Sequence, residues 1–190
     1  MQINLKTFLT ADEIKECEAV ARVRLDEKRR DTANGDRRAS YSNGVAGTGN
    51  ERSYEKELED SKIGALGELI ACKVTKSVWT KESGQYKGNA KPDLVFLFDG
   101  KRVKGEVRGT RKRDSIIYRQ RDKVMNFGKA LIVITNLPNG PMCDVRFASF
   151  NFLEKLVEKN PHWVGSKTGH PYYNIPIEYL TADFSRINSK

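Results

Sequence analysis

Two carboxylates, Asp93 and Glu106, are spaced in the sequence so that their side chains could lie side by side in the folded protein. They lie near the two ends of residues 91–108, where runs rich in β-branched and aromatic residues flank Asp99-Gly100. An Asp-Gly pair between such runs predicts a β-hairpin with a two-residue turn. Residues paired across that turn have numbers that sum to 199, so Asp93 should face Glu106 across the ladder.

Opposed carboxylates repel each other, because their Cβ atoms lie roughly 4.5–5.5 Å apart. Shared protonation, a basic neighbour or a metal ion would offset this repulsion. The two-residue period of a strand puts Lys104 and Arg108 on the same face as Glu106, while the residues between them face an apolar side. A solvated outer face would explain these charges as well as a metal site does, and both interpretations stay open.

A third carboxylate, Glu68, lies in an apolar helix that is predicted from about Ser53 onward. It is the only charged side chain in residues 63–72, and its burial without a partner would be costly. The partner is either an arginine, in an ordinary salt bridge, or a shared acidic site. Gly64 and Gly67 each cost roughly 1 kcal/mol of helix propensity relative to alanine, which indicates the close approach of another backbone.

Further elements are predicted on either side of these residues. Thr10 and Glu13 form a capping box that begins a helix reaching about Arg30, and the weak apolar stripe of this helix predicts a surface position or a partner interface. Residues 31–50 gain Gly, Asn, Ser and Arg, which is typical of a flexible linker. The chain thus divides into an N-terminal helix with a basic linker, residues 1–50, and a core domain, residues 51–190.

The rest of the pattern predicts a β-sheet. Strands are expected at residues 76–80, 130–135 and 142–148. The continuous apolar run of the second of these indicates a central strand that is buried on both faces. Residues 115–120 suit either a strand or the start of a helix. Ser149 is expected to cap a helix that ends near Lys159, and the tail beyond it should be irregular but packed on the body.

Composition narrows the possible partners. The chain of 190 residues carries a formal charge of +9, which favours a polyanionic partner without separating DNA, RNA and an acidic membrane surface. Its three cysteines are widely spaced, so neither a disulfide framework nor a zinc site is expected. The sequence shows no secretory segment and no bilayer-spanning apolar run, so a cytoplasmic protein is expected.

The order of these features resembles the PD-(D/E)xK nuclease superfamily. The residues that carry the resemblance are Gly64-Ala-Leu-Gly-Glu68 on the first core helix, Pro92-Asp93, and Glu106-Val-Arg108. The resemblance covers roughly residues 61–148. It implies an α/β (α+β) protein with a restriction-endonuclease-like core, in which a central mixed β-sheet is flanked by helices and accompanied by an N-terminal helical arm.

The resemblance also implies a metal-dependent active site. Asp93 and Glu106 would bind Mg²⁺ or Mn²⁺, the Val107 carbonyl would be a third ligand, and Glu68 would act through water. Such oxygen ligands suit a hard cation, which lowers the pKa of its bound water and polarises a phosphoryl oxygen.

Basic residues beside this site would complete it. Arg108 stands where the family usually has lysine, and an arginine stays protonated and cannot serve as a base, although it can clamp a phosphate. Lys104, on the same face as Glu106, is the candidate to take the role of that lysine. The other basic residues expected to bind nucleic acid are Arg102, Arg111, Lys112, Arg113, Arg119, Arg121 and Lys123.

The leading hypothesis is a metal-dependent DNA endonuclease of a phage or mobile element, with DNA as its partner and a homodimer suited to cutting both strands. The first alternative is a catalytically inactive nucleic-acid-binding protein on the same fold, in which Arg108 pairs with Glu106 and Asp93. The second alternative is an RNA-binding accessory protein whose acidic residues are structural. Divalent-metal binding separates the first hypothesis from the other two.

Overall fold

The computed structural model describes residues 1–33, 53–81, 92–119, 130–138, 140–166 and 172–187. Most of the predicted linker, from residue 34 onward, lies outside the described residues. The helices are α1 (Leu5–Phe8), α2 (Ala11–Ala33), α3 (Tyr54–Thr75) and α4 (Phe150–Lys159). The strands are β1 (Gln2–Asn4), β2 (Leu94–Phe98), β3 (Lys101–Gly109), β4 (Ser115–Arg119), β5 (Ala130–Thr135), β6 (Met142–Ser149), β7 (Val164–Ser166) and β8 (Tyr172–Pro176).

A mixed sheet forms the centre of the described part of the protein. Its strand order is β1-β6-β5-β3-β2, in which β3 and β5 run parallel and the other neighbours run antiparallel. All six residues of β5 are buried, which confirms the central strand predicted from its apolar run. The expected mixed α/β architecture, with helices flanking a mixed sheet, is therefore confirmed.

The β2–β3 hairpin has the predicted register. Its pairs run from Phe98 opposite Lys101 to Leu94 opposite Gly105. The turn residues Asp99 and Gly100 have φ angles of 48° and 71°, and a two-residue hairpin turn of this kind requires positive φ at both positions. The ladder stops at Leu94, one residue short of the predicted pair between Asp93 and Glu106.

Helix α3 covers one face of the central sheet, where it packs on β3, β5 and β2, and α2 packs against α3. The capping box of α2 is present, because the Glu13 carboxylate accepts the Thr10 amide at 2.8 Å and the Thr10 hydroxyl accepts the Glu13 amide at 3.2 Å. The inner face of α2 is buried against the body through Cys17, Val20, Ala21 and Leu25. The predicted N-terminal arm is thus packed into the core, where its weak apolar stripe had indicated a surface position or a partner interface.

A smaller antiparallel sheet, of strand order β4-β8-β7, covers the other face together with α4. This sheet settles the ambiguity of residues 115–119, which form a strand. It also corrects the expectation of an irregular tail, because residues 172–176 form its middle strand. The cause is the pairing partner: β8 completes the ladder of β4 over five residue pairs, which the local sequence of the tail cannot reveal.

Helix α3 and strand β3 cross at a point of close contact. A Cβ atom on Gly67 would lie 3.1 Å from the Gly109 amide nitrogen, and one on Gly109 would lie 2.5 Å from the Ile63 carbonyl oxygen. Gly67 therefore has the close backbone neighbour that its low helix propensity indicated. Gly64 does not, because a Cβ atom there would meet nothing within 4 Å.

The strand predicted at residues 76–80 is not formed. Lys76 ends α3 in the left-handed conformation, with φ of 51°, and the described residues after it, up to residue 81, belong to no strand. This segment contacts β2 through a side chain and not through a backbone ladder: the Ser77 hydroxyl donates to the Val95 carbonyl at 2.9 Å. None of the helices in the described residues is long and apolar enough to cross a membrane.

Candidate active site

Asp93 lies where the central sheet ends, immediately before β2. Its Oδ2 atom accepts the Val107 amide hydrogen across a distance of 2.7 Å. A charge-assisted bond of this kind is short and strong. It holds the carboxylate against the end of the β3 ladder and fixes its orientation.

The sequence explains why this bond replaces a normal ladder bond. Phe98 and Lys101 flank the turn as a hydrogen-bonded pair, and such pairs alternate along an antiparallel ladder. Continued along the observed register, the alternation reaches Pro92 opposite Val107. Proline has no N–H to donate to the Val107 carbonyl. Residue 92 therefore cannot complete the ladder here, and the Asp93 carboxylate takes up the Val107 amide.

Glu68 is held by a residue that the sequence analysis did not single out. Arg24 of α2 donates from Nη1 to Oε1 and from Nη2 to Oε2, both at 2.7 Å, and the Trp79 indole donates to Oε2 at 3.2 Å. The two charged side chains are only 19% and 15% exposed. The salt-bridge interpretation of Glu68 is thus confirmed. The sequence does not single out this partner, because Arg24 is one of several arginines in α2.

Asp93 has an altered acidity. Its pKa is raised from an ordinary value of 3.8 to about 6, first by burial and second by repulsion from the Glu68 carboxylate. The Val107 amide, Arg24 and Arg108 each lower this pKa, but together they do not offset the two causes that raise it. The Asp93 carboxylate therefore interacts with charged groups of both α3 and β3. Its favourable contacts offset only part of the cost of burying its negative charge.

Glu106 and Arg108 lie on the sheet face opposite α3. Each is paired with a residue of β5 whose side chain packs on the side of the sheet covered by α4, β4 and β8, Glu106 with Leu131 and Arg108 with Val133. Arg108 also donates from Nη1 to the Ile117 carbonyl of β4 at 2.7 Å. Glu106 and α3, which carries Glu68, thus lie on opposite faces of the sheet, and Glu68 is the carboxylate that raises the pKa of Asp93. Lys104 is exposed and is paired with Val95.

The donor set fits a hard cation in part. Asp93, Glu106 and the Val107 carbonyl offer the oxygen ligands that Mg²⁺ prefers. Both oxygens of Glu68 are engaged by Arg24, so this carboxylate could approach a cation only through water or after Arg24 moves. In the described residues, no group of three or more His, Cys, Asp or Glu side chains is arranged to hold a metal ion.

Two cysteines lie near these carboxylates but are not suited to nucleophilic chemistry. Burial raises the pKa of Cys17 and Cys72 to about 12, and the Glu68 carboxylate adds to the rise in both. A thiol with such a pKa stays protonated at neutral pH, and the thiolate is the nucleophilic form. Both side chains therefore act as small apolar groups in the core.

The predicted basic residues differ in their surroundings. Arg111 pairs with Asp60 and also approaches Glu59. Lys112 and Arg113 instead donate to the neutral side chains of Asn174 and Asn136. Arg102 is exposed on β3. The side chain of Arg119, and the whole of Arg121 and Lys123, lie outside the described residues.

Comparisons with known proteins identify no family, so the interpretation depends on the geometry described above. No protein-family model matches the chain, and no curated protein or solved structure is significantly similar to it.

Proposed function

We propose that the protein is a metal-dependent DNA nuclease with a restriction-endonuclease-like core. The observation that carries the proposal is the state of Asp93. Its carboxylate is oriented by the Val107 amide and stands near the Glu68 carboxylate, and its pKa is raised to about 6. Perturbed acidic groups of this kind cluster at functional sites, where a bound cation would relieve the repulsion.

Each residue of the site has a role in this proposal. Asp93, Glu106 and the Val107 carbonyl would hold Mg²⁺ or Mn²⁺. The bound ion would supply an activated water and polarise the scissile phosphate. Arg108 would stabilise negative charge on that phosphate, because its guanidinium stays protonated at every relevant pH. Lys104 is the candidate for a second basic contact from the same face of β3.

Exposed cations would position the DNA backbone. Lys112 and Arg113 lie in the segment between β3 and β4, and their described side-chain partners are neutral amides, so their charge is available to phosphates. Contacts of this kind give affinity and register without reading the base sequence. The proposal therefore predicts strongly salt-dependent DNA binding.

One observation favours the alternative of a catalytically inactive nucleic-acid-binding protein. Arg24 neutralises Glu68 in a bidentate salt bridge, and Arg108 is bonded to the Ile117 carbonyl. A site whose charges are satisfied by arginines needs no metal ion to be stable. In this alternative the basic residues keep their role, and the carboxylates only support the fold.

Cleavage of plasmid DNA separates the two functions. Wild type should cut supercoiled plasmid with Mg²⁺ or Mn²⁺ and not with EDTA, and Asp93→Asn should lose this activity while still binding DNA. Asp12→Asn, which changes an exposed carboxylate at the start of α2, serves as the control and should cut like wild type. If the three proteins bind DNA equally and none of them cleaves it, the inactive binding protein is favoured.

The two basic candidates on β3 are tested in the same assay. Arg108→Ala should abolish cleavage, because it removes the guanidinium that would stabilise negative charge on the phosphate. If Lys104→Ala leaves turnover intact while Arg108→Ala abolishes it, the role given to Lys104 is wrong.

A further inference from the structure

We propose that Arg24 is a built-in cation of the candidate site, which competes with a divalent metal ion for the Glu68 carboxylate. The inference rests on the proposed function, because it concerns how that site takes up its metal. It assigns to α2, the predicted N-terminal arm, a direct part in setting the affinity for metal.

The Arg24 guanidinium is held in a fixed position by several hydrogen bonds. Its guanidinium makes two parallel bonds to Glu68, and Nη2 also donates to the Thr80 carbonyl at 3.3 Å. A bidentate arginine–carboxylate pair is specific in direction and is stronger than a single contact. Trp79 holds the same carboxylate through its indole N–H. Glu68 therefore has little freedom to turn toward another cation.

The charges nearby explain why this contact opposes metal binding. Glu68 and Asp93 repel each other, and Arg24 is the guanidinium that contacts the first and acts electrostatically on the second. A divalent ion bound beside the two carboxylates would also be repelled by Arg24. Because the pair is mostly buried, water screens this repulsion weakly. Removing the positive charge should therefore tighten metal binding.

A second salt bridge between the same two helices provides a matched control. Arg29 of α2 donates from Nε to Oε2 of Glu57 on α3 at 3.2 Å, and Glu57 is only 6% exposed. This pair lies eleven residues before Glu68 on α3, which corresponds to about 16 Å along the helix. It tethers α2 to α3 as Arg24 does, but it is far from Asp93.

The test is the affinity for Mn²⁺ at pH 8 without DNA, measured from the paramagnetic resonance signal of the free ion. Arg24→Met should bind Mn²⁺ at least fivefold more tightly than wild type. Arg24→Lys, which keeps the charge, and Arg29→Met, which removes the salt bridge to Glu57, should both stay within twofold of wild type. If Arg24→Met is unfolded by circular dichroism, Arg24→Gln replaces it, since its amide can still donate to Glu68.

The outcomes distinguish this inference from the proposed function. If wild type binds Mn²⁺ and the folded neutral variants bind it no more tightly, Arg24 is only a tether and the inference is overturned, while the metal site stands. If neither wild type nor any folded Arg24 variant binds Mn²⁺ at millimolar concentration, the metal site itself is rejected. Tighter binding by the neutral variants alone supports the competition.

Discussion

The Asp93 carboxylate accepts the Val107 amide at 2.7 Å, in the place where a proline interrupts the hairpin ladder. This contact joins the start of β2 to the end of β3 and fixes the orientation of the acidic group. The same carboxylate is partly buried near Glu68, which raises its pKa to about 6. Asp93 thus has a fixed orientation and a negative charge that its surroundings disfavour.

The first prediction concerns the pH dependence of stability in the absence of metal. Because the folded pKa of Asp93 lies above its unfolded value of 3.8, protonated Asp93 favours the folded state below pH 4, and this contribution is lost as the pH rises through 6. Asp93→Asn should therefore be more stable than wild type at pH 8, by about 1–3 kcal/mol. The advantage should shrink toward pH 4.

Urea unfolding in EDTA at pH 4, 6 and 8 measures this difference. The amide oxygen introduced by Asp93→Asn can still accept the Val107 amide hydrogen, so the variant isolates the charge. A free-energy difference between wild type and Asp93→Asn that stays constant across these pH values would show that Asp93 titrates normally in the folded protein.

The second prediction tests the crossing of α3 and β3. Gly109→Ala should lower the free energy of unfolding by about 1–3 kcal/mol, because its Cβ atom would meet the Ile63 carbonyl oxygen at 2.5 Å. Gly64→Ala, in open space on the helix that β3 crosses, should raise it by about 0.5–1 kcal/mol through better helix propensity. Chemical denaturation of both variants checks the pair. Equal effects at the two glycines would mean that the helix and the strand do not meet at this point.

The third prediction concerns DNA binding. Replacing Lys112 and Arg113 together by alanine should reduce the slope of log affinity against log salt by about 2, if each contacts one phosphate of duplex DNA. Arg111→Ala should reduce it by less than about 1, because Asp60 and Glu59 already pair with Arg111. Fluorescence anisotropy over a salt series measures the slopes. A larger effect at Arg111 would place the DNA elsewhere on the surface.

The sequence predicted best what local rules determine. The Asp99-Gly100 turn fixed the register of the hairpin, because only one pairing suits a two-residue turn with positive φ at both positions. The buried run of β5 and the capping box at Thr10 were equally local signals. Each depends on residues that are neighbours in the chain.

What the sequence could not show depends on contacts between distant residues. Arg24 meets Glu68 across 44 positions, and nothing in α2 alone distinguishes it from the other arginines of the helix. The strand β8 forms because β4 offers it an edge, whereas residues 76–80 reach β2, an edge strand, through the Ser77 hydroxyl and form no ladder with it. The predicted register extended to a pair of Asp93 and Glu106, but the ladder ends at Leu94 because Pro92 has no N–H to donate the next bond.

Binding of Mn²⁺ to wild type and to Asp93→Asn, followed by isothermal titration calorimetry at pH 8, tests the metal site without requiring the correct DNA substrate. The proposed site of Asp93, Glu106 and the Val107 carbonyl predicts binding by wild type and at least a tenfold loss of affinity in the folded variant. Equal affinity in the two proteins, or no binding by either, would contradict a metal centre at Asp93.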